Sequence, residues 1–166
     1  MKEEQIKVLK TMNEATSRMD LTTFAKKANL SPNETIQQIQ ELAKEGFLQR
    51  SGSGYGITEK GKKAIKAFTP LPEELSFHFY FGIDQPTDLT AKTLQEFYKA
   101  IKQVSVGSLE FHVYRGDFEN WLKEACKEPE LAKEIGDIKA AEKKGEELRA
   151  ELLKVLDAKY GIQELM

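Results

Sequence analysis

The sequence predicts an α+β protein, mostly α, in which a helical unit with one small hairpin precedes a helix-rich domain with a short β element. Apolar residues recur at helical spacing through most of the chain, between residues that favour helix ends. Two short extended runs flank a Ser-Gly-Ser-Gly segment at residues 51–54, which is typical of a hairpin. At residues 76–82, phenylalanines alternate with other side chains, which is typical of a strand.

The strongest local signals of the first half begin at Ser31, which is a good helix N-cap. Glu34 follows three residues later and can complete a capping box. Gly46 suits the left-handed residue that ends a helix. The runs at residues 47–50 and 55–58 then predict the two strands of the hairpin.

Further helices are predicted on both sides of this segment. Asp20 and Thr58 are suitable N-caps for the second and the fourth helix of the first half. Asn29 can take the left-handed conformation that leads from the second helix into the turn. The elements predicted here are helices at residues 3–14, 21–28 and 59–68, with a connection at residues 16–19.

Two strings, LSPxxT…L…EGF and YGITEKG, lie within this order of helices and hairpin. Through them the chain resembles winged helix-turn-helix proteins over residues 1–68. In that family the helix after the turn enters the major groove of DNA, and the hairpin tip, or wing, touches the backbone or the minor groove. The resemblance therefore implies a winged-helix fold and double-stranded DNA as a partner.

The third helix would supply the base contacts. Thr35, Ile39 and Leu42 recur at helical spacing and are predicted to face inward. The outer face then carries three amides that can bond an adenine edge, Asn33, Gln37 and Gln38. It also carries two carboxylates, Glu34 and Glu41. The predicted phosphate contacts are Lys26, Lys27, Lys44, Arg50, Lys60, Lys62 and Lys63. The alternative is that these are ordinary solvated residues, since the predicted face lacks Arg and Lys and the wing tip at residues 51–54 is uncharged.

The segment Thr69-Pro70-Leu71-Pro72 cannot continue a helix, so we predict a winged-helix domain at residues 1–69 and a helix-rich domain at residues 73–166. Residues 104–115 fit a strand or a helix, and the order Gly116-Asp117, a helix stop and then an N-cap, favours two helices. The other elements predicted are a strand at residues 76–82, a loop at 84–87, a return strand at 89–92, and helices at 93–103, 117–127, from Pro129, and at 139–159.

The string SLEFHVYRGDFENWLKEA…ELAKEI resembles a small uncharacterised domain family common in archaea, over about residues 76–138. Its pattern is a strand ending near Gly, an sLxEF helix, then His-x4-Asp-Phe-x2-Trp and Leu-Ala. The matching positions are Gly82, Leu94, Glu96, Phe97, His112, Asp117, Phe118, Trp121, Leu131 and Ala132. The resemblance implies no activity, and the predicted loop at residues 83–89 is longer than the hairpin of that family.

Few residues are candidates for catalysis or metal binding. His78, Glu110 and His112 could share a sheet face and bind a metal if both segments were strands. The favoured alternative is that His112 hydrogen bonds Asp117 at a corner between helices. Cys126 stands alone, which excludes an internal disulfide and a Cys-based zinc cluster, and the chain has no phosphate loop or nucleophile elbow. We therefore expect no enzymatic activity, no catalytic residue, no cofactor and no metal.

Composition limits the remaining possibilities. With 40% apolar and 31% charged residues, no membrane-spanning run and no secretory signal, the sequence predicts a cytoplasmic protein. Residues 1–68 hold 12 Lys and Arg against 8 Asp and Glu, whereas the remainder holds 13 against 19. A basic first half beside an acidic second half is consistent with one module that meets an anionic polymer.

We therefore expect a DNA-binding transcriptional regulator, of archaeal type, whose second domain senses a signal, dimerises or contacts a partner. The stripe Leu148, Leu152, Val155 and Leu156 is either the interface of a homodimer or a cover for its own domain. A small-molecule effector is not specified by the sequence. The alternative function is a non-catalytic adaptor that uses the winged helix to contact proteins.

Overall fold

The computed structural model describes residues 1–15 and 18–165, so residues 16 and 17 of the predicted connection lie outside the described part. The chain forms two compact units, one of Met1–Phe68 together with Leu165, and one of Thr69–Glu164. Helices dominate both units and each contains one small antiparallel hairpin. The predicted class, α+β and mostly α, is confirmed.

The first unit contains three helices, a hairpin and a fourth helix, as predicted for a winged helix. Asp20 accepts a hydrogen bond from Thr23 N at 2.8 Å, and Ser31 accepts one from Glu34 N at 3.2 Å, so both predicted N-caps are confirmed. Asn29 has the expected left-handed conformation, with φ 57°. The elements are α1 Glu3–Glu14, α2 Leu21–Ala28, α3 Pro32–Lys44, β1 Leu48–Ser51, β2 Gly54–Ile57 and α4 Glu59–Phe68.

The hairpin turn is tighter than the sequence predicted. Ser51 pairs with Gly54, so only Gly52 and Ser53 form the turn, and Gly52 has the positive φ of 63° that suits glycine. The hairpin also packs tightly against α4. A Cβ at Gly61 would lie 2.4 Å from Phe47 O, so that position has room for glycine alone.

The core of the first unit joins α1, α3, α4 and the start of the hairpin. Thr35 and Leu42 face inward as predicted, and Ile39 is partly buried against the same core. Leu165 also belongs to this core, although it lies near the other end of the chain. The buried members are Val8, Leu9, Leu42, Phe47, Leu48, Ala64 and Leu165.

The second unit packs a two-stranded hairpin against helices. After a short 3-10 turn at Glu73–Leu75, its elements are β3 Phe77–Gly82, β4 Gln85–Ala91, α5 Leu94–Gln103, α6 Val106–Arg115, α7 Asp117–Glu124, α8 Pro129–Ala140 and α9 Gly145–Tyr160. The last helix is α10 Ile162–Leu165, whose final residue belongs to the first unit. Of the two alternatives predicted for residues 104–115, the helix is confirmed. It is α6, and Ser105 is its N-cap.

The return strand was predicted too late in the chain. β4 begins at Gln85, so the predicted loop at residues 84–87 is mostly strand and the connection is only Ile83 and Asp84. Pro86 looks like a loop residue, but it lies opposite Tyr80 where the register of the hairpin shifts, and proline is tolerated at such irregularities. The long loop predicted at residues 83–89 is therefore a two-residue turn followed by strand.

Two helix boundaries also differ from the prediction, and the structure decides between the two alternatives for the stripe on the last helix. α7 ends at Glu124 because the chain turns through Lys127, which has φ 58°. The predicted helix at residues 139–159 is divided, because Glu142 also has a positive φ of 56° and α9 begins only at Gly145. The stripe on α9 packs against α5, α6 and α8, and three of its residues are fully buried: Leu148, Leu152 and Leu156. It covers its own unit and is not a free dimer interface.

Candidate nucleic-acid interface

Helix α3 presents a polar face that the fold leaves exposed. Asn33, Gln37, Gln40 and Lys44 follow one another at helical spacing, and all four are exposed. Asn33 and Gln37 were predicted to lie on this face, and both are exposed there. Gln40 and Lys44 were not predicted on it, and Lys44 gives the face one cation.

Gln38 does not belong to this face, which corrects the sequence prediction. Its side chain is only 7% exposed, because it lies three residues after Thr35 and four before Leu42, on the packed side of the helix. Its Oε1 atom has no hydrogen-bond partner among the described residues. If the helical period had been applied consistently from Thr35, Gln38 would have been predicted to face inward and Gln40 to face outward.

The margins of the face differ chemically. Ile36 lies on one margin, beside Asn33 and Gln40, and is 40% exposed. Glu41 lies on the other margin, where its carboxylate is 3.5 Å from Lys2 Nζ and 3.5 Å from Gln37 Nε2. The Lys2 ammonium therefore offsets part of the negative charge that would oppose a phosphate backbone.

All seven predicted phosphate contacts are exposed cations. Lys26, Lys27, Lys44, Arg50, Lys60, Lys62 and Lys63 all lie at the surface of the first unit. Lys60 has a structural task as well, since its Nζ atom donates to Glu45 O at 2.9 Å and lies 4.6 Å from the Phe47 ring centre. Lys62 forms an exposed ion pair with Glu59 at 3.2 Å. Arg50 lies 5.6 Å from the Tyr55 ring, on the arm of the wing.

Arg18 brings a charge to the wing tip, which the sequence analysis described as uncharged. Its guanidinium donates a hydrogen bond to Ser53 Oγ, in the turn between β1 and β2. The arginine comes from the connection between α1 and α2, far from the hairpin in sequence. No local pattern in the hairpin signals it, because the contact depends on the tertiary fold.

In the second unit, His112 is buried and joins α6 to the hairpin and to α7 through hydrogen bonds. The Nδ1 atom of His112 lies 2.9 Å from Asp117 Oδ2, and Tyr80 N donates to Nε2 at 2.8 Å. Ser108, one turn earlier on α6, donates through Oγ to Tyr80 O at 2.7 Å. Helix α6 therefore satisfies both backbone groups of Tyr80. Burial lowers the pKa of His112, which favours the neutral imidazole that this arrangement needs.

The same motif fixes two further contacts. Trp121 is buried and donates through Nε1 to Leu75 O at 2.7 Å. Asp117 was predicted to cap α7, but its side chain does not cap that helix and instead holds His112, while Gly116 occupies the cap position. The predicted corner between helices is confirmed. The residues of the His-x4-Asp-Phe-x2-Trp pattern thus join α6 and α7 to the segment that contains β3.

His78, Glu110 and His112 do not form the metal site that was predicted for the case in which both of their segments were strands. His112 lies on a helix, His78 is exposed on β3, and Glu110 accepts a hydrogen bond from Gly145 N at 2.9 Å. Within residues 1–15 and 18–165, no group of three or more His, Cys, Asp or Glu side chains could hold a metal ion.

Across the same residues, every helix is too short or too polar to cross a membrane.

A cleft of about 750 Å³ opens on the hairpin side of the second unit. Its lining combines aromatic side chains, such as Tyr80, Phe111 and Trp121, with charged ones, such as Arg115 and Asp84. Arg115 lies 4.6 Å from the Phe111 ring centre, so one wall of the cleft is an arginine stacked on an aromatic ring.

Comparison with known families bears on both halves of the chain. A model described as winged helix-turn-helix matches residues 4–75. A model described as a family of unknown function (DUF5752) matches residues 59–157. Comparisons with curated proteins and with solved structures give no match. The two family matches confirm that a winged helix-turn-helix is followed by a domain of unknown function.

Proposed function

Because the chain belongs to DUF5752, a family of unknown function, and carries a winged helix-turn-helix in its first half, we propose that it is a DNA-binding transcriptional regulator. Its partner in this proposal is double-stranded DNA, and its place of action is the cytoplasm. The observation that carries the proposal is the exposed face of α3, with Asn33, Gln37, Gln40 and Lys44 between surrounding cations.

The chemistry of this face separates two kinds of contact. Asparagine and glutamine amides can discriminate bases but release no counterions, whereas lysine and arginine hold phosphates without reading sequence. Lys26 and Lys27 lie in the last turn of α2 and Lys44 ends α3, while Arg50 lies on β1 of the wing and Arg18 contacts the tip of the wing. The amides are thus the specific contacts, and the cations position the helix on the duplex.

The second unit supplies the response in this proposal, by sensing a signal or by pairing protomers. Its cleft of about 750 Å³ is large enough for a small molecule, and its walls offer both ring faces and charged groups. A homodimer remains part of the proposal, although the buried leucines of α9 exclude that stripe as the contact between protomers.

The test begins with selection of bound duplexes from a random pool, followed by fluorescence titration at several salt concentrations. Gln37→Ala should weaken binding to the selected duplex by about 1–3 kcal/mol and leave the salt dependence unchanged. Arg50→Ala should weaken all sequences similarly and reduce the slope of log K against log salt by about one unit. Gln103→Ala and Lys123→Ala are matched controls, because both residues are exposed in the second unit.

Three outcomes of that experiment decide between the alternatives. A selected palindrome with half-sites about one helical turn apart indicates a dimer, while a single half-site indicates a monomer. If the wild-type protein binds no duplex even at low salt, the regulator proposal is wrong. The winged helix would then be an adaptor that contacts proteins.

A further inference from the structure

The exposed face of α3 has a chemical bias that goes beyond DNA binding in general. Asn33, Ile36, Gln37 and Gln40 all lie in the first nine residues of the helix, which begins at Pro32. Recognition helices contact base edges mainly with their N-terminal residues. Lys44 is the last residue of α3, so the only cation of this face lies at the end that is far from those bases.

The major groove requires different side chains for different bases. Guanine is read chiefly by arginine or lysine at O6 and N7, adenine by asparagine or glutamine at N6 and N7, and the thymine methyl group by an apolar contact. The N-terminal part of this face offers three amides and one isoleucine but no arginine or lysine, and the exposed Glu34 beside it offers one carboxylate, a group that suits a cytosine amino group. Three amides and an isoleucine against one carboxylate therefore match A·T base pairs better than G·C base pairs.

Ile36 is the residue that makes the match specific. It is 40% exposed, so the core of the first unit does not account for it. Gln40 follows it by four residues and Asn33 precedes it by three, so its side chain lies about 5–6 Å from both amides at Cβ. An apolar side chain at that position can contact a thymine methyl while the neighbouring amides bond adenines.

From this arrangement we propose that α3 reads A·T base pairs in the major groove, with Ile36 against the C5-methyl group of a thymine. Asn33, Gln37 and Gln40 bond adenine edges in the same stretch of groove. This inference rests on the proposed function, and it names the class of DNA sequence that the same site recognises.

The experiment replaces thymine by deoxyuracil, one position at a time, in the duplex selected by the wild-type protein. That replacement deletes the methyl group and keeps the base pair and its hydrogen bonds. At the thymine that Ile36 contacts, the wild type should lose about fourfold in affinity, as expected for one buried methyl group. Ile36→Ala should bind the thymine and deoxyuracil duplexes equally.

Leu21→Ala is the matched control, because Leu21 is the other large exposed apolar residue in the described part of the first unit, at 38% exposure. It should retain the fourfold discrimination. A second series with 7-deazaadenine removes the N7 acceptor and should weaken binding at adenines that the amides contact. Circular dichroism melting of each variant shows whether it folds like the wild type.

The outcomes separate this inference from the function on which it rests. Failure to bind any duplex overturns the proposed function. Binding to a selected site made of G·C pairs, or equal wild-type affinity for every thymine and deoxyuracil duplex, overturns the inference and leaves DNA binding intact. The wild-type series decides this even if Ile36→Ala does not fold.

Discussion

His112 has both ring nitrogens engaged, and this fixes its charge in the folded protein. Because Nε2 accepts from Tyr80 N, the proton of the neutral ring lies on Nδ1 and points to Asp117. Protonation would place a hydrogen on Nε2, opposite the Tyr80 N–H group. The native arrangement therefore disfavours the charged ring, in line with the pKa that burial lowers.

This predicts a pH dependence of the stability of the second unit. With the pKa of His112 below its usual 6.5 in the folded state, the unfolded chain binds the proton more readily. Stability is therefore fully present above pH 6.5 and decreases as the pH falls below it. Thermal melting between pH 7.5 and 5.5 measures the effect.

His112→Phe should lose this dependence and, at pH 7.5, should cost about 1–3 kcal/mol because Tyr80 N–H loses its acceptor. His78→Gln is the matched control, since His78 is exposed on the same hairpin, and it should keep the wild-type pH profile. A His112→Phe profile that still follows the wild type would assign the dependence to another group.

Single residues also show how far the sequence predicts the site. Asn33, Gln37 and the exposed lysines could be assigned from helical spacing and charge, because exposure follows from the period of a capped helix. Gln38 was assigned to the exposed side because the buried face of α3 was predicted to be narrower than it is. Arg18 could not be predicted, since its contact with Ser53 joins segments that are distant in the sequence.

At the scale of elements, α4 approaches the start of the hairpin closely at Gly61. A Cβ at Gly61 would lie 2.4 Å from Phe47 O and 2.7 Å from Ile57 Cγ2. The backbone oxygen cannot move aside as a side-chain end could. Gly61 therefore sets how closely the first turn of α4 approaches the wing.

Gly61→Ala should destabilise the first unit by about 1–3 kcal/mol, the range expected for overpacking. Gly107→Ala is the matched change within α6, where the nearest atom lies 3.8 Å from the added Cβ. It should be neutral or stabilise by up to about 1 kcal/mol, since alanine favours helix more than glycine. Chemical denaturation followed by circular dichroism measures both, and equal effects would contradict the packing argument.

Most elements were predictable because their ends carry local signals. The order Gly116-Asp117 indicated the end of α6 although its interior also fits a strand, since a helix stop acts within a few residues. β4 was predicted too short because Pro86 disfavours a strand locally, and only its pairing opposite Tyr80 shows why it is tolerated. The break at Glu142 likewise has no sequence signal, because glutamate rarely adopts a positive φ.

At the scale of the whole molecule, the two compact units predict partly independent folding. A fragment of residues 1–68 should show helical circular dichroism and a cooperative melting transition, because it contains nearly all of its own core. It should melt below the first unit of the full chain, because it lacks Leu165.

Leu165→Ala in the full chain should reproduce that loss, at about 2–5 kcal/mol for a buried leucine. Leu153→Ala, at a half-buried position of α9, serves as the control and should leave the melting of the first unit unchanged. A fragment without any melting transition would contradict independent folding, and an unaffected Leu165→Ala variant would remove Leu165 from the core.

Leu165 also sets an order of events during synthesis. The ribosome adds residues 69–164 after Phe68 and before Leu165, which takes about 5–20 s at about 5–20 residues per second. The winged helix is translated first, yet its core gains its final leucine only after the second unit has been made. A nascent chain that stalls within the second unit would therefore expose a winged helix with an incomplete core.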